Sequence, residues 1–491
     1  MPHEKPNILL IMNDQHRFDR LSCVSQDAGG PPHPATPNLD RIAAEGVRFT
    51  NAYAPSPVCA PSRAAIKSGM YPPGCGVVNN WVPFKEDMPL LTHRLQDAGY
   101  YTGRVGKLHF VPHLRRFGFD WGALSDAPYS VYAHDDKFSD YIHWLRQHWD
   151  GERDPVELFD EDEDAFKEGD WERFILGSNF RSEAQHDIPW TVAEGERFLD
   201  ERDPDKPFFL FLSFFGPHQP FAVPEPWNSL YAPEDVVLPP QFDADMTDHP
   251  VFARHSAARS RDFRSRWGAE DYRRIIAPYY GQIAMIDHYL GRFFQRLDAD
   301  GLWEDTLIIF CADHGDHNGA YGLFFKGEMY DSCCKVPLFI KPAGSQAAER
   351  GGQVLAQNVN LLDLYGTILD AAGDADWRAP HIEARSLAPL LADADAPWEN
   401  ETYSTIGADP LRNLTMLRRD DVKLVRLADG PLAAHYELYD MNDEVPEVRD
   451  VYEDPAYAAV RDALKADLDA WWAEQAARYP DPLIDYHRRD G

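Results

Sequence analysis

The sequence predicts an α/β fold: a mixed, mostly parallel sheet sandwiched by helices, followed by a smaller C-terminal part of antiparallel strands and one helix. Three observations predict it. The apolar runs "NILLIM", "PFFLFLSFF" and "TLIIFCA" are continuous rather than alternating, as strands buried on both faces require. Amphipathic stretches with their own start and stop signals separate these runs, which is the rhythm of a parallel sheet with crossover helices. From about residue 396 the pattern changes to short strand-like segments and one long helical one.

The elements follow in order. "NILLIM" (7–12) reads as the first strand and exits into Asn13-Asp14-Gln15. "TPNLDRIAAEG" reads as a helix with Thr36 as N-cap, Pro37 at the first position and Gly46 as the stop. In "SPVCAPSRAAIKSG", Pro61 suits a first helical position and Gly69 a stop, so Cys59 lies beside a helix start. "LLTHRLQDAGY" is a further helix closed by Gly99, and "YTGRVGK" a strand. The segment 134–183 breaks the rhythm. It is acidic and aromatic, and is expected as an insertion over one face, read as a solvated loop, with a pocket wall or an oligomer contact as the alternatives. Its aromatics and their neighbours Tyr129, Tyr132, Trp144, Trp149 and Trp171 are read as packing residues rather than recognition residues. A helical stretch ending at Glu201 precedes the strand 207–215. The long helical pattern that closes at Gly301 carries Pro278, which should kink or split it. "TLIIFCA" and "VPLFI" are the remaining strands of the large sheet. "VKLVRL", "YELYDM" and the helical "YAAVRDALKADLDAWWAEQAARY" make the smaller part. The expected division is a catalytic domain at 1–395 and an α+β domain with a tail at 396–491.

Composition narrows the function. With 491 residues and 44% hydrophobic content, the chain can bury a large core. A net charge of −33 argues against nucleic acid or an anionic membrane as a general partner, but admits a small anionic substrate in a locally basic pocket. "NILLIM" is too short for an export signal, and no run reaches transmembrane length. Six cysteines do not form a disulfide scaffold. A cytoplasmic protein with reduced thiols is the expectation, with adjacent Cys333 and Cys334 as packing residues.

Ligands of open α/β sheets bind beyond the carboxyl ends of the strands. Four such exits here are polar: Asp14 after the first strand, Lys107 and His109 after "YTGRVG", His218 after "FFLFLSFF", and Asp313-His314 after "TLIIFCA". Asp14, Asp313 and His314 make a divalent-cation set, carboxylates favouring Ca²⁺ or Mg²⁺ and the imidazole shifting the balance toward Mn²⁺ or Zn²⁺. Arg63, Lys107, His109, His218 and Lys326 suit an anion such as sulfate or phosphate. A cysteine at a helix N-terminus is a candidate thiolate nucleophile with His109 or His218 as its base, or else an inert buried thiol.

These residues resemble the sulfatases. "CAPSR" (59–63) matches the signature C-x-P-S-R, whose cysteine becomes formylglycine in that family. "GKLHF" (106–110), "PHQPF" (217–221), the block 313–340 and "YELYDMNDEVPEVRDV" (436–451) match further elements in order along nearly the whole chain. The resemblance implies an alkaline-phosphatase-like fold and hydrolysis of sulfate monoesters. It implies modified Cys59 as nucleophile and one divalent metal, Ca²⁺ before Mn²⁺ or Mg²⁺, on Asp14, Asp313, His314 and an oxygen of the modified Cys59. It also implies Arg63 holding the formylglycine hydrate, and Lys107, His109, His218 and Lys326 binding sulfate or moving protons. Asn80 matches a substrate-contacting asparagine of the cytosolic branch. Expected partners are a small sulfate ester, a formylglycine-generating enzyme and further copies of the chain, with the tail 481–491 as a candidate exchange arm. One departure bears on substrate. Many sulfatases have two adjacent aspartates after the first strand and Asp-Asn later, whereas this chain has Asp14-Gln15 and Asp313-His314. That variation resembles the branch of choline sulfatases, some arylsulfatases and phosphonate monoester hydrolases. Phosphonate hydrolases typically carry Tyr and Thr where this chain has Lys107 and His109, so the pair favours sulfate. A phosphonate or phosphate ester hydrolase, and a catalytically silent binding protein, are the alternatives.

Overall fold

The computed structural model describes residues 5–30, 33–85, 88–112, 116–126, 139–344, 351–409, 412–430 and 434–479. Eight strands form the large sheet: β1 (Asn7–Asn13), β2 (Val47–Tyr53), β3 (Tyr101–Gly106), β4 (Trp121–Leu124), β5 (Phe208–Phe214), β6 (Thr306–Ala312), β7 (Lys335–Lys341) and β8 (Gln353–Asn360). Their order is β4-β3-β5-β1-β6-β7-β2-β8. Among these pairings only those of β7 are antiparallel, so the sheet is mixed and mostly parallel.

Strand β1 shows why the sequence chooses a buried sheet. All seven of its residues are buried. Ile8, Leu10 and Met12 face one apolar cluster, and Leu9 and Ile11 the other, because successive side chains of a strand alternate. The first face is covered by the helices Cys59–Ser68, Leu91–Asp97 and Leu364–Ala371. The second is covered by Pro37–Glu45, Asp187–Glu201 and Ala269–Ala299.

A second sheet of four antiparallel strands, in the order β12-β11-β10-β9, comprises β9 (Glu401–Asp409), β10 (Arg412–Arg419), β11 (Val422–Asp429) and β12 (Ala434–Asp440). The helix Ala458–Arg478 lays Leu464, Leu468 and Trp472 on one face, against Leu417, Leu424 and Leu438. The other face meets the segment that follows β6. There Lys423, fully buried, bonds Asp331 at 2.9 Å and Glu447 at 2.6 Å.

Several local expectations are corrected. Pro278 does not split its helix, which runs unbroken from Ala269 to Ala299. Residues on both sides of the proline are buried, and that packing outweighs the ~3 kcal/mol cost of an internal proline. The helix carrying Cys59 starts at the cysteine itself, so Pro61 is its third residue rather than its first. The segment from 139 to 183 is no solvated loop. It forms the helices Asp140–His148, Pro155–Glu168 and Trp171–Leu176, because Ser139, Asp154 and Asp170 each cap a free backbone N–H. Tyr141, Ile142, Leu145, Val156 and Phe159 then share an apolar cluster. Trp144 and Trp149 pack against that cluster, and Trp171 packs against Phe166 and Phe263. Tyr129, Tyr132 and the tail 481–491 lie outside the described residues.

Candidate active site

Four neighbouring strands, β3, β5, β1 and β6, end at one place. Register sets the geometry: Asn13 pairs with Ala312, so the next residues, Asp14 and Asp313, emerge side by side. Two glycines let the chain turn there. A side chain on Gly106 (φ +81°) would strike the Ser213 carbonyl, and one on Gly315 the Ser332 carbonyl. Lys107 N–H donates to Ser213 O at 3.0 Å directly after that turn.

Cys59 enters this place from above, as the first residue of its helix. Its Sγ lies 3.1 Å from His314 Nε2, 3.1 Å from Lys326 Nζ and 3.7 Å from Asp14 Oδ1. Asn80 Oδ1 accepts from Ala60 N–H at 3.1 Å, so this side chain ties the helix start in place. One turn on, Arg63 reaches down as a fully engaged fork. Its Nε donates to Asp313 Oδ2 at 2.7 Å, Nη1 to Lys107 O at 2.9 Å and Ser213 Oγ at 2.8 Å, and Nη2 to Asp14 Oδ2 at 3.3 Å. Lys107 Nζ lies 2.6 Å from Asp14 Oδ2 and 4.7 Å from the centre of the Phe215 ring.

Titration follows from this crowding. Burial pushes the Asp14 carboxyl up and the Cys59 charge adds to that, but Lys107 and Lys326 outweigh both and hold it far below the usual range. Asp313 moves the other way, because burial and the Asp14 charge raise it. Burial likewise opposes a Cys59 thiolate, yet Lys326, Lys107 and His314 pull the thiol well below its ordinary value. Burial and then Lys326 hold His218 down at about 4, and burial and then Lys107 lower His109. Burial works against the charged form of Lys326, but Cys59, Asp14 and Asp313 raise it.

The donor set fits a divalent cation. Asp14, Cys59, Asp313 and His314 are all buried and each brings one ligand atom, all within 4.8 Å of one another. His314 Nδ1 lies 2.8 Å from the Gly315 carbonyl, which fixes that nitrogen as the donor and leaves Nε2 facing the carboxylates. Two carboxylates and an imidazole suit Ca²⁺, Mg²⁺ or Mn²⁺.

Above the cluster opens a cavity of about 200 Å³, lined by Cys59, Asn80, Lys107, His109, His218 and Lys326 at its polar end. Among the described residues neither buried ring nitrogen of His109 has a well-formed hydrogen bond, the Cys59 thiol being its polar neighbour, and the residue sits at φ +61°. Asp126 Oδ1 holds its backbone N–H at 2.7 Å. A buried imidazole without a well-formed hydrogen bond is costly and points to a polar ligand here. His218 Nδ1 lies 2.6 Å from Gln219 O, which leaves Nε2 available.

All ten residues singled out from the sequence therefore meet at one place. Others were missed. Trp81, Phe215, Gln219 and Pro220 line the same cavity, together with Asp162, Glu163 and Phe174 from the inserted helices. Phe215 and Trp81 had a signal, as neighbours of a strand exit and of Asn80. Gln15 had none. Its amide accepts from Lys326 Nζ at 2.7 Å and donates to Gln219 Oε1 at 2.7 Å and to Asp316.

The sequence model of the family described as Sulfatase matches residues 6–374, and that of the N-sulphoglucosamine sulphohydrolase C-terminal region matches residues 319–474. The chain is 33% identical over 411 residues to an arylsulfatase of Clostridium perfringens (strain 13 / Type A), covering 81% of this chain and 80% of that protein. It is 30% identical over 511 residues to the multifunctional alkaline phosphatase superfamily protein PehA of Trinickia caryophylli, covering 96% of each. Among solved structures, the phosphonate monoester hydrolase of Agrobacterium radiobacter superposes with a TM-score of 0.75 at 26% identity, covering 96% of each chain. No described helix is long and apolar enough to cross a membrane.

Proposed function

The chain belongs to the sulfatase family, and on that premise we propose that it hydrolyses sulfate monoesters to an alcohol and inorganic sulfate, with Cys59, converted to formylglycine, at the reacting position. One observation carries this reading. Cys59 Sγ is 3.1 Å from both His314 Nε2 and Lys326 Nζ, at the floor of a cavity whose polar end is cationic.

Asp14, Asp313 and His314 would hold the metal, with the modified Cys59 completing the set. Bound there, it would acidify a hydroxyl of the hydrated aldehyde and polarise a sulfate oxygen. Lys107 and Lys326 offset charge that develops on the sulfuryl oxygens; Lys107 is buried, Lys326 is 14% exposed, and each is already held by side-chain partners before substrate arrives. Lys326 is charged in the free site and is the first candidate to give its proton to the departing alcohol oxygen, becoming neutral as it does so. His218, neutral in the free site, gains a proton as the anion enters, because a nearby negative charge favours imidazolium, and it then serves as the second candidate donor. His109, held neutral by burial and Lys107 and lying beside Cys59, can take the proton whose loss expels sulfate. Arg63, held by four partners, fixes the spacing of the two carboxylates.

A second reading is a phosphonate or phosphate ester hydrolase on the same scaffold. The likeness to a phosphonate monoester hydrolase favours it. Lys107 and His109, standing where the resembled phosphonate hydrolases carry Tyr and Thr, support sulfate first. The test is a panel of sulfate, phosphate and phosphonate monoesters with one common leaving group, run on metal-replete protein. A highest kcat/KM on the sulfate ester is expected, and a higher one on the phosphonate replaces the first reading by the second.

A further inference from the structure

The apolar end of the cavity is unlike its floor. Trp81, Phe174, Phe215 and Pro220 line it. Trp81 is the most exposed of these four, with 49% of it open to solvent. It also adopts φ +72°, a left-handed backbone that bulky residues rarely take. The neighbouring chain holds it there. Asn79 Oδ1 accepts from Asn80 N–H at 2.8 Å, and Asn80 in turn caps the Cys59 helix. The indole meets the His109 ring edge-on, at 5.3 Å between centroids and 64° between planes. A flat ring is thus held on the wall of the cavity that contains Cys59, on the backbone segment that fixes that cysteine's helix.

We propose that Trp81 is the specificity-determining residue for the alcohol half of the ester, which it selects by stacking on flat, apolar alcohols. The proposal rests on the sulfatase reading of the site. The sulfate half meets Lys107, Lys326 and the histidines at the floor, and the alcohol half then lies along Trp81, with Phe174 from the inserted helices on the same apolar lining. Phe174 is itself buttressed by Phe166 at 5.2 Å and Phe325 at 5.7 Å. Two carboxylates share the lining, Asp162 and Glu163; Asp162 is engaged by Ser178 N–H and Oγ, both at 2.7 Å, while the floor carries Lys107 and Lys326. Stacking is geometric as well as apolar, so ring planarity should matter beyond area.

The test measures kcat/KM for 4-nitrophenyl sulfate and for a linear alkyl sulfate in wild type, Trp81→Leu and Trp81→Phe, all with Cys59 conversion quantified. Leaving-group chemistry cancels in the ratio of ratios. Trp81→Leu keeps an apolar side chain without a flat face, and is expected to lower the aryl-to-alkyl preference by about 10–100-fold, mostly through KM. Trp81→Phe should recover most of it. Inhibition by inorganic sulfate reports the floor and should move less than about threefold. Equal losses on both esters in Trp81→Leu would overturn the proposal. So would a selective loss on the sulfate ester of a quaternary ammonium alcohol. If converted wild-type protein turns over no sulfate ester, the sulfatase reading itself fails and this one with it. If wild type is active but the preference does not move, only the role of Trp81 fails.

Discussion

Lys107→Met removes one charge from the centre of the site and little else, because Met keeps the unbranched stem and a sulfur that packs well against the Phe215 ring. Its magnitude can be worked from two contacts. Lys107 Nζ stands 2.6 Å from Asp14 Oδ2, with side-chain exposures of 2% and 0%. At an effective dielectric constant of about 20 the gross attraction is about 6 kcal/mol, most of it spent on desolvating the two groups. Deleting one partner of such a buried pair costs ~3–5 kcal/mol. Arg63 at 3.3 Å and Lys326 at 3.9 Å still face Asp14, which places the expected loss near the lower end, about 3 kcal/mol. A divalent ion on Asp14 replaces the missing charge, so millimolar Ca²⁺ should restore much of the urea midpoint. Activity should not return with it. On the proposed reading Lys107 also faces the sulfuryl oxygens, and removing one such preorganised group costs roughly 10²–10³ in kcat. With Lys107 gone the Asp14 carboxyl rises, and the acid limb of kcat/KM moves to higher pH. The assays are urea denaturation with and without Ca²⁺, and initial rates across pH on one aryl sulfate. A fall in kcat of less than tenfold, or a rate that Ca²⁺ restores along with stability, would refute a direct role for Lys107 at the sulfate.

Further outcomes follow from the same structure. Ca²⁺ or Mn²⁺ at about 100 times its dissociation constant should stabilise the protein by about 2.7 kcal/mol, and Asp313→Asn should abolish that gain, both read by urea denaturation. Arg63→Lys keeps the charge but loses the fork to Asp313, Ser213 Oγ and the Lys107 carbonyl, and a loss of about 3 kcal/mol in the same assay is expected. His186 and His16 set an acid limb of stability. Each accepts at Nδ1, from Ile188 N–H and from the Asn13 amide, and donates at Nε2, to Ala222 O and Arg20 O, so burial holds both neutral down to about 4. Their unfolded value is about 6.5, so their contribution is complete above that pH and is lost as pH falls toward 4, by at most about 3 kcal/mol each. His186→Gln should flatten the fall in urea midpoint between pH 7 and pH 5, and an unchanged slope would exclude His186 as its source.

The site was legible in the sequence because its residues sit at strand exits. Asp14, His218 and Asp313 follow unmistakable apolar runs, Lys107 follows the strand-like "YTGRVG", and β3, β5, β1 and β6 then prove to be neighbours. What was hidden had no local signal. Strands β2 and β8 are only partly buried, so "VRFTNAY" and "QVLAQNVN" lack the continuous apolar pattern that marked the central strands. The reversal of β7 is set by its partners, not by its own residues. The acidic run Pro155–Glu168 looked solvated because its charges dominate the composition, while the buried face that makes it a helix needs only Val156, Phe159 and Ala165 with capping by Asp154. Asp162 and Phe174 reach the cavity through tertiary packing alone, across separations that no sequence period records.

Peptide mass analysis of the 59–63 signature, set beside the specific activity of the same preparations, tests the central claim most directly. Active protein should carry Cys59 about 18 Da lighter, as an aldehyde in place of the thiol, with activity proportional to the converted fraction and absent in a folded Cys59→Ala variant. Full activity on sulfate esters from protein whose Cys59 is entirely unmodified would contradict the account, and would make the low-pKa thiolate itself the nucleophile.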